Sequence, residues 1–171
     1  DKEIYDNYYL SKYNDLFFNN DLFLEIKTLL IRDTYLTKNS NILDINCKAN
    51  FYVKNLLKDG YKIKGIDNIK KNINTNDYLR NHLNEYSHIL CLNNKIYNYK
   101  NKYKILESCY NSLKPDGYLI IQIFDKDYLN YKNSKKIDNI NYKINYLRES
   151  NYVIMREIFK DKDNNIKINN N

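Results

Sequence analysis

The stretch Asn41–Asp67, NILDINCKANFYVKNLLKDGYKIKGID, constrains the fold more than any other part of the chain. Ile42, Leu43 and Ile45 form an apolar strand that runs into a polar loop, Asn46-Cys47-Lys48-Ala49-Asn50. A short helix, Phe51 to Lys58, carries Val53, Leu56 and Leu57 toward a sheet and stops at Asp59-Gly60. Glycine suits that stop because it enters the left-handed region without a Cβ clash. A second strand, Tyr61 to Ile66, ends on Asp67. Strand, helix and strand in so few residues make a βαβ unit, which requires a parallel sheet. Gly65 lies inside the second strand, where glycine marks the close approach of another group.

The rest of the chain is consistent with one α/β domain over 1–171. Residues 1–40 read as an N-terminal helical cover. Tyr5, Tyr8, Tyr9 and Tyr13 have near-helical spacing, and Leu22, Phe23, Ile26, Leu29 and Leu30 follow an amphipathic pattern capped by Asn19 or Asn20. Residues 41–127 form the core. Asn68 to Glu85 predicts a short helix, then a weak strand or loop near Ile73–Leu79. Ser87–Leu92 predicts an apolar strand, and Asn101–Lys114 a helix with Ile105, Leu106, Cys109, Tyr110 and Leu113 in one stripe. Pro115-Asp116-Gly117 reads as a turn in which glycine takes the positive φ. Tyr118–Phe124, YLIIQIF, is apolar throughout, as in a central strand buried on both faces. Residues 128–171 change pattern. Asn130–Ile137 is a charged loop. Tyr142–Leu147 and Tyr152–Phe159 alternate like strands, a turn follows at Asp161–Asn165, and Ile166 and Ile168 alternate after it.

Composition narrows the function classes. With 43% hydrophobic residues the chain is globular. It holds 19 Tyr but 3 Gly and 1 Pro, and its wealth of Asn, Lys, Ile and Tyr matches AT-rich codons, as in some viruses, parasites and endosymbionts. The net charge of +7 comes almost wholly from scattered lysines, since the arginines are Arg32, Arg80, Arg148 and Arg156. A nucleic-acid partner is therefore a weak expectation, because phosphate readers favour the guanidinium fork. Cys47, Cys91 and Cys109 are widely spaced with no CxxC, which argues against a metal centre or a disulfide framework. No apolar run is long enough for a membrane span. The expected setting is intracellular and cytoplasmic, with a viral particle as the alternative.

Four segments in order resemble the class I S-adenosylmethionine (SAM)-dependent methyltransferases of the small Rossmann-like kind, across Tyr5 to Asp127. NILDINCKAN is similar to the first motif of that family, a strand and an acid before a loop of form D-x-G-x-G-x-G. GYKIKGID, SHILCLNN and LKPDGYLIIQIF are similar to its second, fourth and fifth strands with their flanking turns. The resemblance implies a mostly parallel sheet flanked by helices, with an antiparallel hairpin at the C-terminal end, and SAM as the cofactor of an active enzyme. It implies that the first loop wraps the amino-acid end of the cofactor, opened by Asp44, and that Asp67 accepts from the ribose hydroxyls. Asp77 is the candidate acid near the adenine. The weak catalytic candidates are Asn93, Asn94 and Tyr97, on the loop facing the methyl acceptor. Asp125 and Asp127 end the fifth strand.

One departure carries the functional expectation. The three motif glycines are replaced by Asn46, Lys48 and Asn50. Asn tolerates the left-handed region, so Asn46 and Asn50 keep the turn. Lys48 puts a side chain and a positive charge where backbone would touch a cationic sulfonium, unless it turns out to solvent. The sequence thus predicts a methyltransferase-like protein with a degenerate SAM site, acting as a non-catalytic subunit beside a protein partner or assembly. The alternative is an active methyltransferase acting on a small molecule or macromolecule. His82 is expected in solvent, His88 as a packed or edge-exposed ring, and Cys109 in the core.

Overall fold

A computed structural model describes residues 20–47, 50–67, 74–93, 95–123, 133–137, 140–148, 153–160 and 166–170. The Tyr-rich start, Lys48, Asn94, Asp125, Asp127 and the turn at Asp161–Asn165 lie outside them. The chain divides into two compact units, Phe18–Ile123 and a second made of Asp1–Phe17 with Phe124–Asn171.

The first unit is a four-stranded parallel sheet with helices against it. In chain order its elements are α1 (Asn20–Thr34), β1 (Asn41–Ile45), α2 (Phe51–Lys58), β2 (Lys62–Ile66), α3 (Thr75–Arg80), β3 (Tyr86–Cys91), a 3-10 turn (Lys95–Asn98), α4 (Lys102–Ser112) and β4 (Leu113–Ile121). The strand order is β2-β1-β3-β4. From β1 the chain steps outward to β2, then returns to the other side of β1 for β3. The order therefore reverses between β1 and β3, whose partners include Asp44 and Leu90. In parallel sheets of this type a crevice opens beyond the carboxyl ends of the strands at such a reversal.

Each face of the sheet has its own core. On one side Phe23 and Leu30 of α1 join Tyr52, Val53 and Leu56 of α2 against Ile42, Ile63 and Leu90. On the other, Leu79 of α3 and Ile105 and Cys109 of α4 cover Leu43, Ile45, Ile66 and Ile89. The apolar stripes of α2 and α4 are each rotated slightly from the expected ones. Tyr52 is buried and Leu57 exposed on α2. On α4, Ser108 and Ser112 are buried while Tyr110 is exposed. On α4 the buried serines face α3, where Ser112 Oγ donates to the Leu79 carbonyl at 2.7 Å. Leu29, also expected on the covered face, is exposed on α1.

Other expectations change as well. Ile73–Leu79 is not a weak strand or loop from residue 75 on, because Asn74 caps α3 by accepting the Asn76 amide. The YLIIQIF segment is not central among the described residues. It ends the strand order, and Tyr118 to Ile121 are half-buried. Its entry is also no simple turn, since only Ser87 stands between the pairs Tyr86–Leu113 and His88–Tyr118, opposite Lys114-Pro115-Asp116-Gly117. Asp116, not Gly117, takes the positive φ, at 60°. Gly117 is needed for space, because a Cβ there would lie 2.9 Å from the Lys114 carbonyl oxygen.

The second unit contains an antiparallel sheet, β5 (Asn133–Ile137), β6 (Ile140–Arg148), β7 (Val153–Lys160) and β8 (Ile166–Asn170), in that order. The expected hairpin is thus a four-stranded meander. The Asn133–Ile137 part of the expected charged loop is a strand paired with β6.

Candidate functional site

The carboxyl ends of β1 and β2 bring the two retained acids together. Asp44 is 1% exposed and Asp67 5%. They are close enough for the Asp67 charge to act on Asp44. Ile45 is followed by Asn46 at φ 56°, and Asn50 stands at φ 57° as the cap of α2. Both asparagines hold the left-handed turns that glycines would otherwise make, because a short polar side chain tolerates that region.

The loop between them is bonded to its own strands. The Cys47 amide donates to the Ile66 carbonyl at 2.9 Å, and the Asn50 amide to the Cys47 carbonyl at 2.7 Å. The Cys47 thiol donates to Asn50 Oδ1. Gly65 shows the close approach expected of it, and the approaching groups are Cys47 Sγ, Val53 Cγ2 and Asn50 Oδ1. Burial, with Asp44 nearby, pushes the Cys47 thiol up to about 12. A neutral, buried thiol is a packing group and no nucleophile.

The residue that composition hid is Lys95. It opens the 3-10 turn beyond β3 and is 4% exposed, a rare state for a lysine. Its side chain reaches over the neighbouring strand, and Nζ donates to Asp44 Oδ1 at 3.1 Å. The ion pair therefore spans the reversal point between β1 and β3. Burial raises the Asp44 carboxyl above its usual range, with Lys95 pulling it back and Asp67 adding to the rise. Desolvation is the larger effect, as expected for an ion pair cut off from water.

The remaining candidates are dispersed. Asp77 is exposed on the first turn of α3, a separate element. The Asn93 amide donates to Gln122 Oε1 at 2.8 Å, tying the loop after β3 to the end of β4. Tyr97 is 43% exposed on the 3-10 turn. An apolar groove of about 400 Å³ lies between α1 and the ends of β3 and β4, lined by Leu22, Ile26, Leu29, Leu92 and Ile120 among others. The histidines are structural. His88 is buried, with Nε2 against the Thr34 carbonyl at 3.0 Å and Nδ1 against Ser87 Oγ at 2.9 Å. His82 is half-buried rather than solvated, and its ring stacks on Tyr78 at 4.0 Å between centroids.

The sequence matches no protein-family model and no curated protein. Solved structures do match. DesVI from Streptomyces venezuelae superposes with a TM-score of 0.65 at 13% identity, covering 99% of this chain and 80% of that one. The CcbJ methyltransferase from Streptomyces caelestis superposes with a TM-score of 0.56 at 11% identity, covering 98% and 79%. The chain has the class I methyltransferase fold. A SAM-dependent methyltransferase from Archaeoglobus fulgidus also matches, at 17% identity over 71% of this chain and 60% of that one, with a TM-score of 0.46.

The cofactor candidates that the sequence resemblance implies lie in the loop after β1 and at the ends of β1 and β2. Asp44, Asn46, Asn50 and Asp67 are gathered there. Lys95 joins them by tertiary contact, and no motif spacing in the sequence pointed to it. Among lysines spread through the whole chain, only the neighbouring position of β1 and β3 distinguishes it.

Proposed function

We propose that this chain is a methyltransferase-like protein whose cofactor loop has turned inward, and that it serves as a non-catalytic binding or structural subunit of a larger assembly. The observation that carries the reading is the loop itself. Its Cys47 and Asn50 amides are spent on the Ile66 and Cys47 carbonyls. The space over Gly65 is taken by Cys47 and Asn50 side chains. A loop that cradles a ligand keeps its donors and its bare backbone for that ligand. SAM does not fit these residues as they stand. It brings a sulfonium and an ammonium, and Asp44 already holds the Lys95 ammonium in the crevice. No step of methyl transfer is assigned to this chain.

The assembly partner is most simply another protein. The strands β5–β8 favour a polyanion as the alternative, for Glu157 is their lone acid among several Lys and Arg. Strand register sets Lys143, Arg156 and Lys160 on the same side of the sheet. Nucleic-acid binding of that kind would weaken steeply with salt, and flat salt dependence would exclude it.

The second reading is an active SAM-dependent methyltransferase. It is favoured by Asp44 Oδ2, which is buried with no hydrogen-bond partner among the described residues, and by the turns kept at Asn46 and Asn50. Calorimetry with SAM and S-adenosylhomocysteine separates the two. For SAM, no heat of binding up to millimolar ligand is expected. Micromolar binding that is lost in Asp67→Ala would establish a working cofactor site and overturn the non-catalytic reading.

A further inference from the structure

We infer that Lys95 is a tethered cation that occupies the ligand crevice and selects against any ligand bringing a positive charge to Asp44. The inference rests on the inward-turned site proposed above and names the residue that keeps it closed to SAM.

Three observations support it. The first is position. The crevice expected beyond a parallel sheet lies where the strand order reverses, and here that is between β1 and β3. The Lys95–Asp44 pair joins the residue beyond β3 to the end of β1 across that point, over a sequence separation of 51. The second is electrostatics. Asp44 and Asp67 are both buried, the Asp67 charge acts on Asp44, and among the described residues the Lys95 ammonium is paired with Asp44. Take it away and the Asp44 carboxylate faces the crevice without that ammonium. The third is the incomplete fit of the pair. One Asp44 oxygen accepts from Lys95, while the other is buried without a partner among the described residues. Packing alone does not call for such a pair, since apolar side chains of similar volume stabilise a core as well or better.

A cation on the same chain is an intramolecular competitor, present at high effective concentration whatever the ligand supply. A ligand cation must therefore displace Lys95 Nζ before it reaches Asp44. The neutral counterpart of that ligand has no such competitor at its sulfur. SAM and S-adenosylhomocysteine are that pair of probes, since they differ by one methyl group and the charge on sulfur.

The test is calorimetry of both compounds against the intact chain, Lys95→Met and the double variant Asp44→Asn/Lys95→Met, with circular dichroism to confirm folding. Lys95→Met is expected to gain SAM binding, or to shift the preference for SAM over S-adenosylhomocysteine by about tenfold or more. The double variant, with its crevice charge reduced, should lose that preference. If Lys95→Met folds and neither gains SAM binding nor shifts the preference, Lys95 is not the competitor and the inference fails, although the non-catalytic reading stands. If only the double variant folds, a preference for SAM in that variant equally overturns the inference, and its absence with S-adenosylhomocysteine bound supports it. Loss of both ligands in the folded double variant counts against it. Micromolar SAM binding by the intact chain would instead overturn the non-catalytic reading.

Discussion

A Cβ on Gly65 would sit 2.7 Å from Cys47 Sγ and 2.8 Å from Val53 Cγ2. Both neighbours are short side chains held in the core, so neither can swing aside. Gly65→Ala is expected to cost about 1–3 kcal/mol by overpacking. Urea unfolding would show a lower midpoint at unchanged slope. Pairing it with Cys47→Ala should recover much of the loss, because the thiol is the nearest obstacle.

The buried pair makes Lys95→Met destabilising in a pH-dependent way. Removing one partner of a buried ion pair costs about 3–5 kcal/mol. The Asp44 carboxyl is already raised by burial, and loss of Lys95 raises it further. A carboxyl raised on folding takes up its proton in the native state first, so the stability it confers is present at low pH and lost as pH rises through the folded value. The variant should therefore lose more stability at pH 7 than at pH 5. Equal losses at the two would mean that Asp44 stays charged without its partner.

His88 acts in the opposite sense. Burial lowers its imidazole from the ordinary 6.5, so the ring is neutral in the fold. The unfolded ring begins to take a proton as pH falls below that value, and the folded ring does so only further down. Stability is thus full above about pH 6.5 and declines as pH falls toward the folded value. His88→Gln, which cannot titrate, should flatten this part of a stability-against-pH curve. It should also cost about 1 kcal/mol at pH 7 through weaker hydrogen bonding to Thr34 and Ser87.

The cysteines are predicted to be silent to thiol reagents in the native protein. Cys47, Cys91 and Cys109 are free and buried, and burial pushes each thiol up to about 12. A chromogenic disulfide reagent at pH 8 should react with none of them until denaturant is added, and then with all. Fast reaction of Cys47 in the native state would show that the loop opens.

Local pattern made most elements legible, and tertiary context decided their places. The Asn41–Asp67 unit has the strand, helix, strand order that its periodicity dictates. The left-handed turns at Asn46, Asn50 and Gly60 follow from residue chemistry alone. In the YLIIQIF segment an unbroken apolar run signals burial on both faces, whereas among the described residues β4 ends the strand order, and Tyr118 to Ile121 are half-buried. Residues 133–137 looked like a loop because two adjacent lysines break the alternation. They are a strand because β6 offers them an antiparallel partner. Spacing puts Tyr110 in the apolar stripe, but the buried side of α4 is the one that carries Ser108 and Ser112 toward α3, and the tyrosine is exposed.

The sequence by itself determined the parallel βαβ frame, the two acids at its strand ends and the loss of the motif glycines. All of these are written within a few residues of one another, where backbone preference and hydrophobic period act directly. Only the tertiary structure decided what stands against Asp44. Lys95 is one lysine among many along the chain. Its burial arises because β3 lies beside β1 and the turn beyond it faces back over the strand end. Charge pairing across a crevice depends on which strands are neighbours, and that is a property of the assembled sheet.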